Sequence, residues 1–588
     1  MSSKTVLLAL IAVLLGVQYL YQPRWQGDGQ HQTLSWDVSG YYSYLPAVFI
    51  YQDLKEAKFL DTIVERYRPT PVVMQAYTDE ASGNRVMKYS LGQSISYLPG
   101  FLVAHAYASA SPQHPPDGWS RPYQFMISFG AMLYMILGLV VLRKVLRNYF
   151  DETSTSLGLA AIVLGSNYLN YSAIDGAMTH NTVFTVYALL LYVTISYYRR
   201  ATLWKGIAIG ALVGYAALVR PTEIIALLIP ILWGVDFTRT ESVRERLNTL
   251  QANWTHLAAA AVVTAAIGSL QLFYWHYVTG NWFVYSYQEE GFSWLSPHIW
   301  RGLMSYRSGW LMYSPLMIFS LIGFYYLFRQ NRKLFFPTII FATLFMYIAW
   351  AWDIWWYGGS LGQRTMVQAY PVLAFPLCAM AAAWQRFPVI PKYVVLGIAI
   401  LFGYMNLWFT HQAHHGRMLH VGEQTQEYYW ATLLTWDARE ENLPLLDEVP
   451  RAFPGAPGWV QTIYNDEDYE RKLDAENQYA GIVNIDAGIL PAEYEWFRVS
   501  VTVKVGPKEW DYWKQAQFFV KTLNGEEVVT DYHYRMWRVL HDNQVKRMHL
   551  DVRRPKDPIT TIQVDFWNAG SARPMTLTDL RIDALYER

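Results

Sequence analysis

Long apolar stretches recur along the first 410 residues and predict a chain that crosses a membrane many times. Five of them approach the ~20 residues needed to cross ~30 Å of hydrocarbon, namely 122–142, 178–198, 254–278, 310–328 and 392–410. Others are shorter or more interrupted but lie between loops spaced as in a polytopic membrane protein, namely 156–173, 205–219, 221–235, 335–351 and 365–385.

The segment 5–21 opens the series and also resembles a signal peptide, because Lys4 precedes an apolar core. The residues that follow, Gln-Tyr-Leu-Tyr-Gln-Pro at 18–23, lack the small side chains of a cleavage site. We therefore interpret 5–21 as an uncleaved signal anchor. With it, the pattern predicts a polytopic α-helical membrane protein of about eleven spans.

Lysine and arginine gather in a few loops, and such loops stay on the cytoplasmic side of a membrane. The clusters lie at 143–147, 199–205, 239–246, 329–333 and 386–392. If all of them are cytoplasmic, the N-terminus lies in the cytoplasm and everything after residue 410 lies outside. The outer surface then collects Asp37, Lys88, Asp175, Arg220 and Arg364.

The apolar segment 89–110 conflicts with this topology if it is counted as a span, because Arg143 would then move to the outer side. A helix that lies against the outer leaflet removes the conflict, and polar residues such as Gln93 and His105 suit that position. We therefore predict a juxtamembrane helix within one large outer loop, 22–121.

A different periodicity begins after the last span. Apolar and polar residues alternate in runs such as 497–503 and 562–566, and turns such as Asn524-Gly525 separate the runs. This alternation predicts an all-β, jelly-roll-like sandwich outside the membrane. The predicted domains are a helical domain at 1–410, a linker at 411–478 and the sandwich at 479–588.

Several tryptophans of the sandwich region would either bind glycans by stacking or fill the core. They are Trp510, Trp513, Trp537 and Trp567. The single cysteine, Cys378, lies inside a predicted span, so the sandwich would fold without disulfides. The 588 residues carry no net charge, which argues against nucleic acid as a partner.

Charged residues near the membrane surface are the first candidates for chemistry, because charge there is costly and calls for a partner or a function. Asp37 and Asp175 supply carboxylates that can act as a general base or hold a metal ion. Lys88, Arg220 and Arg364 suit a phosphate, which Arg binds with a bidentate fork and Lys with a point charge. The alternative for Arg220 is a helix end whose side chain extends to the lipid headgroups.

Aromatic residues are densest at 350–364, where tryptophans precede a Gly-Gly turn and Arg364. Interfacial tryptophans often form a belt that anchors spans, but this mixture also suits a pocket in which a sugar stacks on indole. The predicted substrate pocket comprises Tyr41, Tyr42, His180, Trp355 and Trp356. The histidines at 411–420 suggest zinc, yet no nearby cysteine or acid completes a site, which favours an interfacial linker.

The order of these features resembles that of GT-C glycosyltransferases, nearest to the protein-mannosyltransferase and aminoarabinose-transferase-like group of bacterial membrane enzymes. The resemblance rests on an outer-loop Asp37, a Lys88 that leads into a juxtamembrane helix, a second Asp175 and Arg-Pro-Thr-Glu at 220–223. It covers about residues 1–410, including the segment 355–364, which resembles stretches of uncharacterised members.

The resemblance implies a GT-C fold and inverting transfer of a sugar from a polyprenyl-phosphate or polyprenyl-diphosphate carrier. The acceptor would be a protein, a lipid or a polysaccharide at the periplasmic face of the bacterial inner membrane. It further implies that Asp37 is the general base, that Lys88, Arg220 and Arg364 neutralise the departing phosphate, and that Asp175 orients the acceptor or a metal.

The reaction would need no soluble cofactor, and the candidate metal is a divalent ion, Mg²⁺ or Mn²⁺. Asp37 is followed by Val38 rather than by a second acid, which disfavours a metal held by adjacent acids. Membrane lipids are the expected surroundings.

Two other functions fit part of the pattern. A transporter or flippase of lipid-linked glycans predicts two matched halves with broken helices and charges near mid-membrane, and the sequence shows no such repeat. A non-catalytic subunit of glycan assembly would keep the fold without the chemistry. An enzyme is the favoured interpretation because the charged residues gather at one predicted surface.

Overall fold

A computed structural model of the chain describes residues 2–437, 439–447, 449, 452–506, 515–540, 543–571 and 573–586. The chain forms two compact units, Met1–Gly422 and Glu423–Arg588. The first is helical and the second is mainly β, and each has its own hydrophobic core.

The helical unit begins with a span-length helix and continues through a long extramembrane excursion before the other long helices follow. Its α-helices are α1 (Ser3–Gly16), α2 (Trp36–Tyr42), α3 (Tyr44–Phe49), α4 (Phe59–Tyr67), α5 (Gly92–Ala110), α6 (Arg121–Leu146), α7 (Glu152–Gly165), α8 (Thr179–Arg199), α9 (Leu203–Val219), α10 (Leu228–Leu232), α11 (Thr240–Ala252), α12 (Trp254–Thr279), α13 (Ile299–Met304), α14 (Trp310–Tyr313), α15 (Ile318–Gln330), α16 (Arg332–Ala351), α17 (Met366–Trp384) and α18 (Val389–His411). A small hairpin of β1 (Ala76–Thr78) and β2 (Arg85–Met87) precedes α5.

Six helices of the described chain are long and apolar enough to cross a membrane, which makes this a multi-pass membrane protein by length and composition. They are Ser3–Gln26, Arg121–Leu146, Trp254–Thr279, Arg332–Ala351, Met366–Trp384 and Val389–Gly416. The other predicted spans also coincide with helical segments, but these are shorter, broken or more polar. The count of about eleven spans stays a prediction.

The basic loops meet one another in pairs, as a shared surface requires. Arg199 Nη2, at the end of α8, donates to Asn148 Oδ1, just beyond α6, at 2.5 Å. Arg332 Nη1, at the start of α16, donates to Thr238 Oγ1, just before α11, at 3.3 Å. Basic segments assigned to the cytoplasm by their charge therefore lie side by side in two pairs, and the side of the membrane on which they lie stays a prediction.

The juxtamembrane helix predicted at 89–110 corresponds to α5, which is absent from the six apolar candidates among the described residues. Its first residue, Gly92, abuts the backbone of Leu218 and Val219 at the end of α9. Further along, His105 Nδ1 lies 2.7 Å from the hydroxyl of Tyr123, near the start of α6. These contacts involve the helix ends opposite the basic loops, as expected of a helix that lies against one side of a membrane.

Glycines allow α9 and α12 to approach each other closely. A Cβ added at Gly210 would lie 2.3 Å from the carbonyl oxygen of Ala260, and one at Gly214 would lie 2.9 Å from Cα of Thr264. Backbone atoms cannot retreat as a flexible side chain can, so these positions require a residue without a Cβ. Close backbone contact through small residues is a common way to pack helices in a membrane.

The second unit is a sandwich of two antiparallel sheets. Its elements are α19 (Gln426–Thr432), β3 (Trp459–Leu473), β4 (Val483–Asp486), β5 (Trp496–Val505), β6 (Gln517–Asn524), β7 (Glu527–Arg535), β8 (Val545–Arg553), β9 (Thr561–Trp567) and β10 (Met575–Tyr586). The strand orders are β3-β10-β5-β8 and β4-β9-β6-β7. Counted within the sandwich, these are 1-8-3-6 and 2-7-4-5, the arrangement of a jelly roll with its two Greek keys.

The sandwich begins earlier than predicted, because β3 lies inside the segment 411–478 that we interpreted as a linker. It pairs with β10 along its length but has only one neighbour, and its sequence is rich in Asp, Glu, Lys and Arg. Charged residues are typical of edge strands, where they prevent pairing with another chain. That charge removed the alternation on which the prediction depended.

The tryptophans predicted either to stack on glycans or to fill the core have different surroundings. Trp537 packs against the core cluster, and the guanidinium of Arg573 lies 3.5 Å from the centre of its ring. Trp567 stacks with Tyr479, with ring centres 6.1 Å apart. Trp510 and Trp513 lie outside the described residues.

The glycine contacts predict a cost for adding one methyl group at the interface of α9 and α12. We expect Gly210→Ala to destabilise the protein by about 1–3 kcal/mol, the usual cost of overpacking. Gly268→Ala in α12 is the matched control, because nothing lies within 4 Å of the added Cβ. Thermal unfolding of both variants in detergent measures the difference, and equal midpoints would contradict the interface.

Candidate active site

Asp37 stands in the first turn of α2 and is held by two partners from distant parts of the chain. Its Oδ2 forms an ion pair with Arg364 Nη2 at 2.8 Å, and its Oδ1 accepts a hydrogen bond from the hydroxyl of Tyr89 at 2.7 Å. Burial alone would raise the pKa of Asp37, but the charge of Arg364 and these hydrogen bonds outweigh it and lower the pKa. The carboxylate is therefore ionised at neutral pH, with 19% of its side chain exposed.

The contact between Tyr89 and Asp37 depends on a glycine in α2. A Cβ at Gly40 would lie 2.7 Å from the ring of Tyr89, so only glycine allows the helix to approach that ring. The ring of Tyr41 lies beside it, with centres 4.4 Å apart. Burial raises the pKa of Tyr89, so its hydroxyl keeps the proton that it donates to Asp37.

Arg364 lies at the end of a loop whose backbone carbonyls accept hydrogen bonds from buried amide side chains. Asn167 Nδ2 donates to the carbonyls of Leu361 and Gln363 at 3.2 and 3.1 Å. The side chain of Gln363 in turn donates to the carbonyl of Trp355 at 3.0 Å. This network sets the position from which Arg364 reaches Asp37.

Asp175, just before α8, is neutralised by a residue that the sequence did not single out. Arg24 Nη1 forms an ion pair with Asp175 Oδ1 at 2.7 Å, and Asn170 Nδ2 donates to Asp175 Oδ2 at 3.0 Å. Asn170 Oδ1 is itself 2.6 Å from Nε2 of His414. Both oxygens of this carboxylate therefore already accept a hydrogen bond.

Lys88 is also paired. Its Nζ lies 2.7 Å from Oε1 of Glu290, in the loop after α12, and 5.5 Å from the centre of the Tyr287 ring. The sequence suggested that Lys88 binds a phosphate, whereas here the side chains of Lys88 and Glu290 neutralise each other.

Arg220 is the exception among these cations. It forms no ion pair or hydrogen bond through its side chain within the described part of the chain, and its Nε is buried. Three phenol groups, those of Tyr41, Tyr287 and Tyr357, lie close enough to interact with its charge, and so does the carboxyl group of Glu223. Glu223 forms no ion pair with Arg220, because its carboxyl group accepts hydrogen bonds from Tyr187 and Gln368.

These seven residues define what we call the charged cluster: Arg24, Asp37, Lys88, Asp175, Arg220, Glu290 and Arg364. All belong to helix ends or loops on the side of the unit that also contacts α5. The cluster brings together all of the predicted catalytic and phosphate-binding residues. Sequence reasoning missed Arg24, Tyr89 and the role of Glu290, since nothing in the chain order links them to their partners.

The predicted pocket residues divide into two groups. Tyr41 and His180 border the cluster. His180 is fully buried, its Nδ1 lies 3.1 Å from Gln368 Oε1, and its Nε2 has no hydrogen-bond partner among the described residues. Tyr42 points away instead, since its hydroxyl donates to Gly118 O at 2.6 Å and its ring packs against Trp119. Its assignment to the pocket stays a prediction that these contacts do not favour.

Trp355 and Trp356 contact residues that are not members of the charged cluster. The ring of Trp356 stacks under the guanidinium of Arg307, 3.7 Å from its centre, and Trp355 is buried against its own loop. Tyr357, which follows them, is the aromatic residue of this motif that approaches Arg220 and Arg364. The motif therefore contributes through its third aromatic residue and its arginine.

The histidines at 411–420 make hydrogen bonds of their own. His411 Nδ1 lies 2.7 Å from the hydroxyl of Tyr21, and His415 Nε2 lies 3.2 Å from the carbonyl of the same residue. Among the described residues, no three His, Cys, Asp or Glu side chains are grouped so that they could hold a metal ion. This geometry agrees with a linker that seals the end of α1 against α18.

No protein-family model matches the chain, and no curated protein matches it. The chain is similar to solved transferases. One is the oligosaccharyltransferase AglB from Archaeoglobus fulgidus, in complex with an inhibitory peptide and a dolichol-phosphate, at 11% identity and a TM-score of 0.40, over 73% of this chain and 57% of that one.

Two further similar structures come from bacteria. ArnT from Cupriavidus metallidurans, bound to undecaprenyl phosphate, shows 14% identity and a TM-score of 0.38 over 67% of this chain and 63% of that one. The arabinosyltransferase EmbB from Mycobacterium smegmatis shows 9% identity and a TM-score of 0.38 over 97% of this chain and 64% of that one. The chain spans less than two thirds of the length of each of these proteins, and at such remote likeness its function has to be argued from its own residues.

The pairing pattern predicts opposite effects for two buried arginines. Arg364→Gln leaves the carboxylate of Asp37 without its cation and should destabilise the protein by about 2 kcal/mol, within the range for hydrogen bonds to charged groups. Arg220→Gln removes a buried cation that forms no ion pair among the described residues, so it should leave stability unchanged or raise it. Thermal unfolding without ligand checks both, and a loss for Arg220→Gln as large as that for Arg364→Gln would contradict the assignment.

Proposed function

We propose that the protein is a GT-C-type membrane glycosyltransferase that transfers a sugar from a polyprenyl-phosphate carrier to an acceptor at the outer face of a bacterial inner membrane. The observation that carries this proposal is the buried guanidinium of Arg220, which forms no ion pair among the described residues, while its neighbours Tyr41 and Tyr287 also interact with the charge of Asp37. Burial of a cation without an ion pair is costly, and an anionic substrate that binds there reduces the cost. Proteins whose structures are similar bind dolichol-phosphate and undecaprenyl phosphate, which are anions of this chemistry.

The proposed phosphate lies against Arg220, which offers a planar fork of N–H donors. The phenols of Tyr41, Tyr287 and Tyr357 surround the guanidinium and can donate to the remaining phosphate oxygens. The polyprenyl chain would leave the site through the lipid that surrounds the helices. His180, with its unpartnered Nε2, is placed to hydrogen-bond the same headgroup.

The arrangement favours a monophosphate over a diphosphate carrier. A phosphodiester that joins a sugar to a lipid has one negative charge, and the charged cluster has one cation without an ion pair. A diphosphate has at least two charges, so it would require Lys88 or Arg364 to leave its carboxylate. The pairing of Lys88 with Glu290 therefore supports the smaller headgroup.

Asp37 would act as the general base. A carboxylate with a lowered pKa is a weak base toward a free hydroxyl, so we expect the proton to move late, when the attacking oxygen has begun to bond the anomeric carbon. The negative charge also stabilises the positive charge that develops on the sugar ring. With Asp37 on one side of the sugar and Arg220 on the other, transfer inverts the configuration.

The carrier phosphate already activates the sugar, so the protein needs only to align the acceptor, take its proton and stabilise the departing phosphate. The same scheme serves a protein, lipid or polysaccharide acceptor. The competing transporter function would predict charges near mid-membrane on broken helices in two matched halves, whereas the charged cluster lies at helix ends.

We expect Arg220→Gln to weaken the binding of undecaprenyl phosphate by tenfold to a hundredfold, since a hydrogen bond to a charged group contributes about 1.5–3 kcal/mol. Binding to the purified protein can be measured by thermal shift, with undecaprenol as the control without phosphate. Arg301→Gln, at an exposed position of α13, is the matched control variant. Tighter binding of undecaprenyl diphosphate than of the monophosphate would contradict the monophosphate carrier.

Asp37→Asn tests the chemistry and separates an enzyme from a scaffold or a flippase. We expect transfer from polyprenyl-phosphate sugars in proteoliposomes to fall about a thousandfold, within the range for loss of a general base, while undecaprenyl phosphate still binds. Asp353→Asn is the control, because Asp353 accepts hydrogen bonds from Ser293 and Gly291 in a neighbouring loop. Unchanged turnover in Asp37→Asn would exclude Asp37 as the base.

A further inference from the structure

The resemblance to GT-C enzymes implies that Asp175 orients the acceptor or a divalent metal, and carboxylates such as Asp37 and Asp175 can be tested for that fit. A divalent ion such as Mg²⁺ or Mn²⁺ needs near-octahedral oxygen ligands at about 2.0–2.1 Å. The carboxylates that bind it must turn lone pairs toward a shared point from which other cations are absent. Asp37 and Asp175 do not meet this requirement, because each already pairs with a guanidinium.

The four carboxylate oxygens of these two acids are all engaged. Those of Asp175 accept from Arg24 at 2.7 Å and from Asn170 at 3.0 Å. Those of Asp37 accept from Arg364 at 2.8 Å and from the Tyr89 hydroxyl at 2.7 Å. A metal bound to either acid would lie within a few ångströms of a guanidinium, and the repulsion between the two cations would oppose binding.

The guanidinium of Arg24 contacts several oxygen atoms at once, as a metal ion at this position would. While Nη1 pairs with Asp175, Nη2 lies within hydrogen-bond distance of three more oxygens, at 3.3 Å from Gln30 O, 3.3 Å from Gln32 O and 3.2 Å from Ser35 Oγ. Only 18% of its side chain is exposed. The guanidinium of Arg24 thus neutralises Asp175, before α8, and also holds the loop that leads into α2.

That loop determines where the proposed base stands. Ser35 is two residues before Asp37, and its hydroxyl also donates to Gln32 O at 2.7 Å. Loss of the guanidinium would release the oxygens of residues 30, 32 and 35 together and let the start of α2 move. Asn170 and His414 hold the other side of Asp175, so the acid is a fixed anchor for Arg24.

From this geometry we propose that Arg24 replaces a divalent metal in this protein, so that the transfer is metal-independent and Arg24 acts as a positioning residue for Asp37. The inference rests on the proposed function where it concerns turnover, but not where it concerns metal binding. An arginine in place of a metal keeps the charge at the second acid constant, whatever the concentration of divalent ions outside the cell.

The first experiment measures metal binding without any substrate. Purified protein in detergent is titrated with Mn²⁺ and followed by electron paramagnetic resonance, beside Asp175→Asn. We expect no stoichiometric Mn²⁺ site in either protein. A single site in the native protein that disappears in Asp175→Asn would overturn the proposal, even if the protein proved not to be a glycosyltransferase.

The second experiment measures turnover with a polyprenyl-phosphate sugar. We expect transfer to stay within twofold when EDTA replaces divalent ions, and kcat to fall tenfold to a hundredfold in Arg24→Ala while the affinity for undecaprenyl phosphate stays within twofold. A merely structural role would change both quantities together. Loss of transfer in EDTA, restored by Mg²⁺ or Mn²⁺, would overturn the proposal.

Two further variants guard against misfolding. Arg24→Lys keeps the charge but not the fork, so it should fold as the native protein does and still lose kcat. Arg121→Ala is the matched control, since Arg121 binds the carbonyls of Trp25 and Gly27 in the same loop without contacting Asp175, and it should retain native turnover. Native kcat in Arg24→Lys together with Arg24→Ala would show that Arg24 does not position Asp37.

Discussion

The organisation of the helical unit depends on how charge is neutralised at the ends of apolar helices. A carboxylate or guanidinium there loses much of its hydration, and the loss is tolerable only when an opposite charge or several hydrogen bonds compensate for it. Asp37, Asp175 and Glu290 each have a cation from a distant segment, at 2.7 to 2.8 Å. These pairs join the first outer loop to α8, α12 and α17, so the same contacts that stabilise the loops also hold the charged cluster together. Within the described residues, Arg220 is the cation of this cluster that forms no ion pair, which is why we propose a bound anion there.

Loops and helix ends, rather than the middles of helices, carry the residues of the charged cluster. Specific contacts hold these loops in place. Buried amides fix the backbone that leads into Arg364. Gly40 lets α2 lie against Tyr89, and the guanidinium of Arg24 fastens the turn before α2. A scaffold of apolar helices cannot supply polar anchors from its own lipid-facing surfaces, so the anchors come from helix ends and from the segments between helices. This explains why a loop of about a hundred residues follows the first span without leaving the site undefined.

The sequence was sufficient for the parts of the fold that depend on local pattern. Every predicted span coincides with a helical segment, because length and apolar composition are local properties, and the later strands were found from their alternation. The edge strand β3 was not recognised because its charges hide the period of two. Tyr42 and its neighbour Tyr41 make different contacts because successive side chains of a helix point about 100° apart. The partners of the acids could not be predicted for a different reason. Arg24 and Asp175 are 151 residues apart in the sequence, and no periodicity links them. Residue type therefore identified the charged groups, but only three-dimensional contact showed which of them remains unpaired.

The distribution of these pairs also bears on the choice between catalysis and transport. A flippase has to expose its headgroup site to each side in turn, which calls for charges that can be uncovered from both directions and for helices that break near mid-membrane. Here Arg220 occupies the turn between α9 and the segment that Pro221 begins, so its charge is already at one end of the bundle. The ion pairs around it tie that end together through at least three segments, and breaking them in every cycle would repeatedly expose paired charges. A transferase has no such need, because its carrier can enter and leave through the lipid while the cluster stays closed around the headgroup.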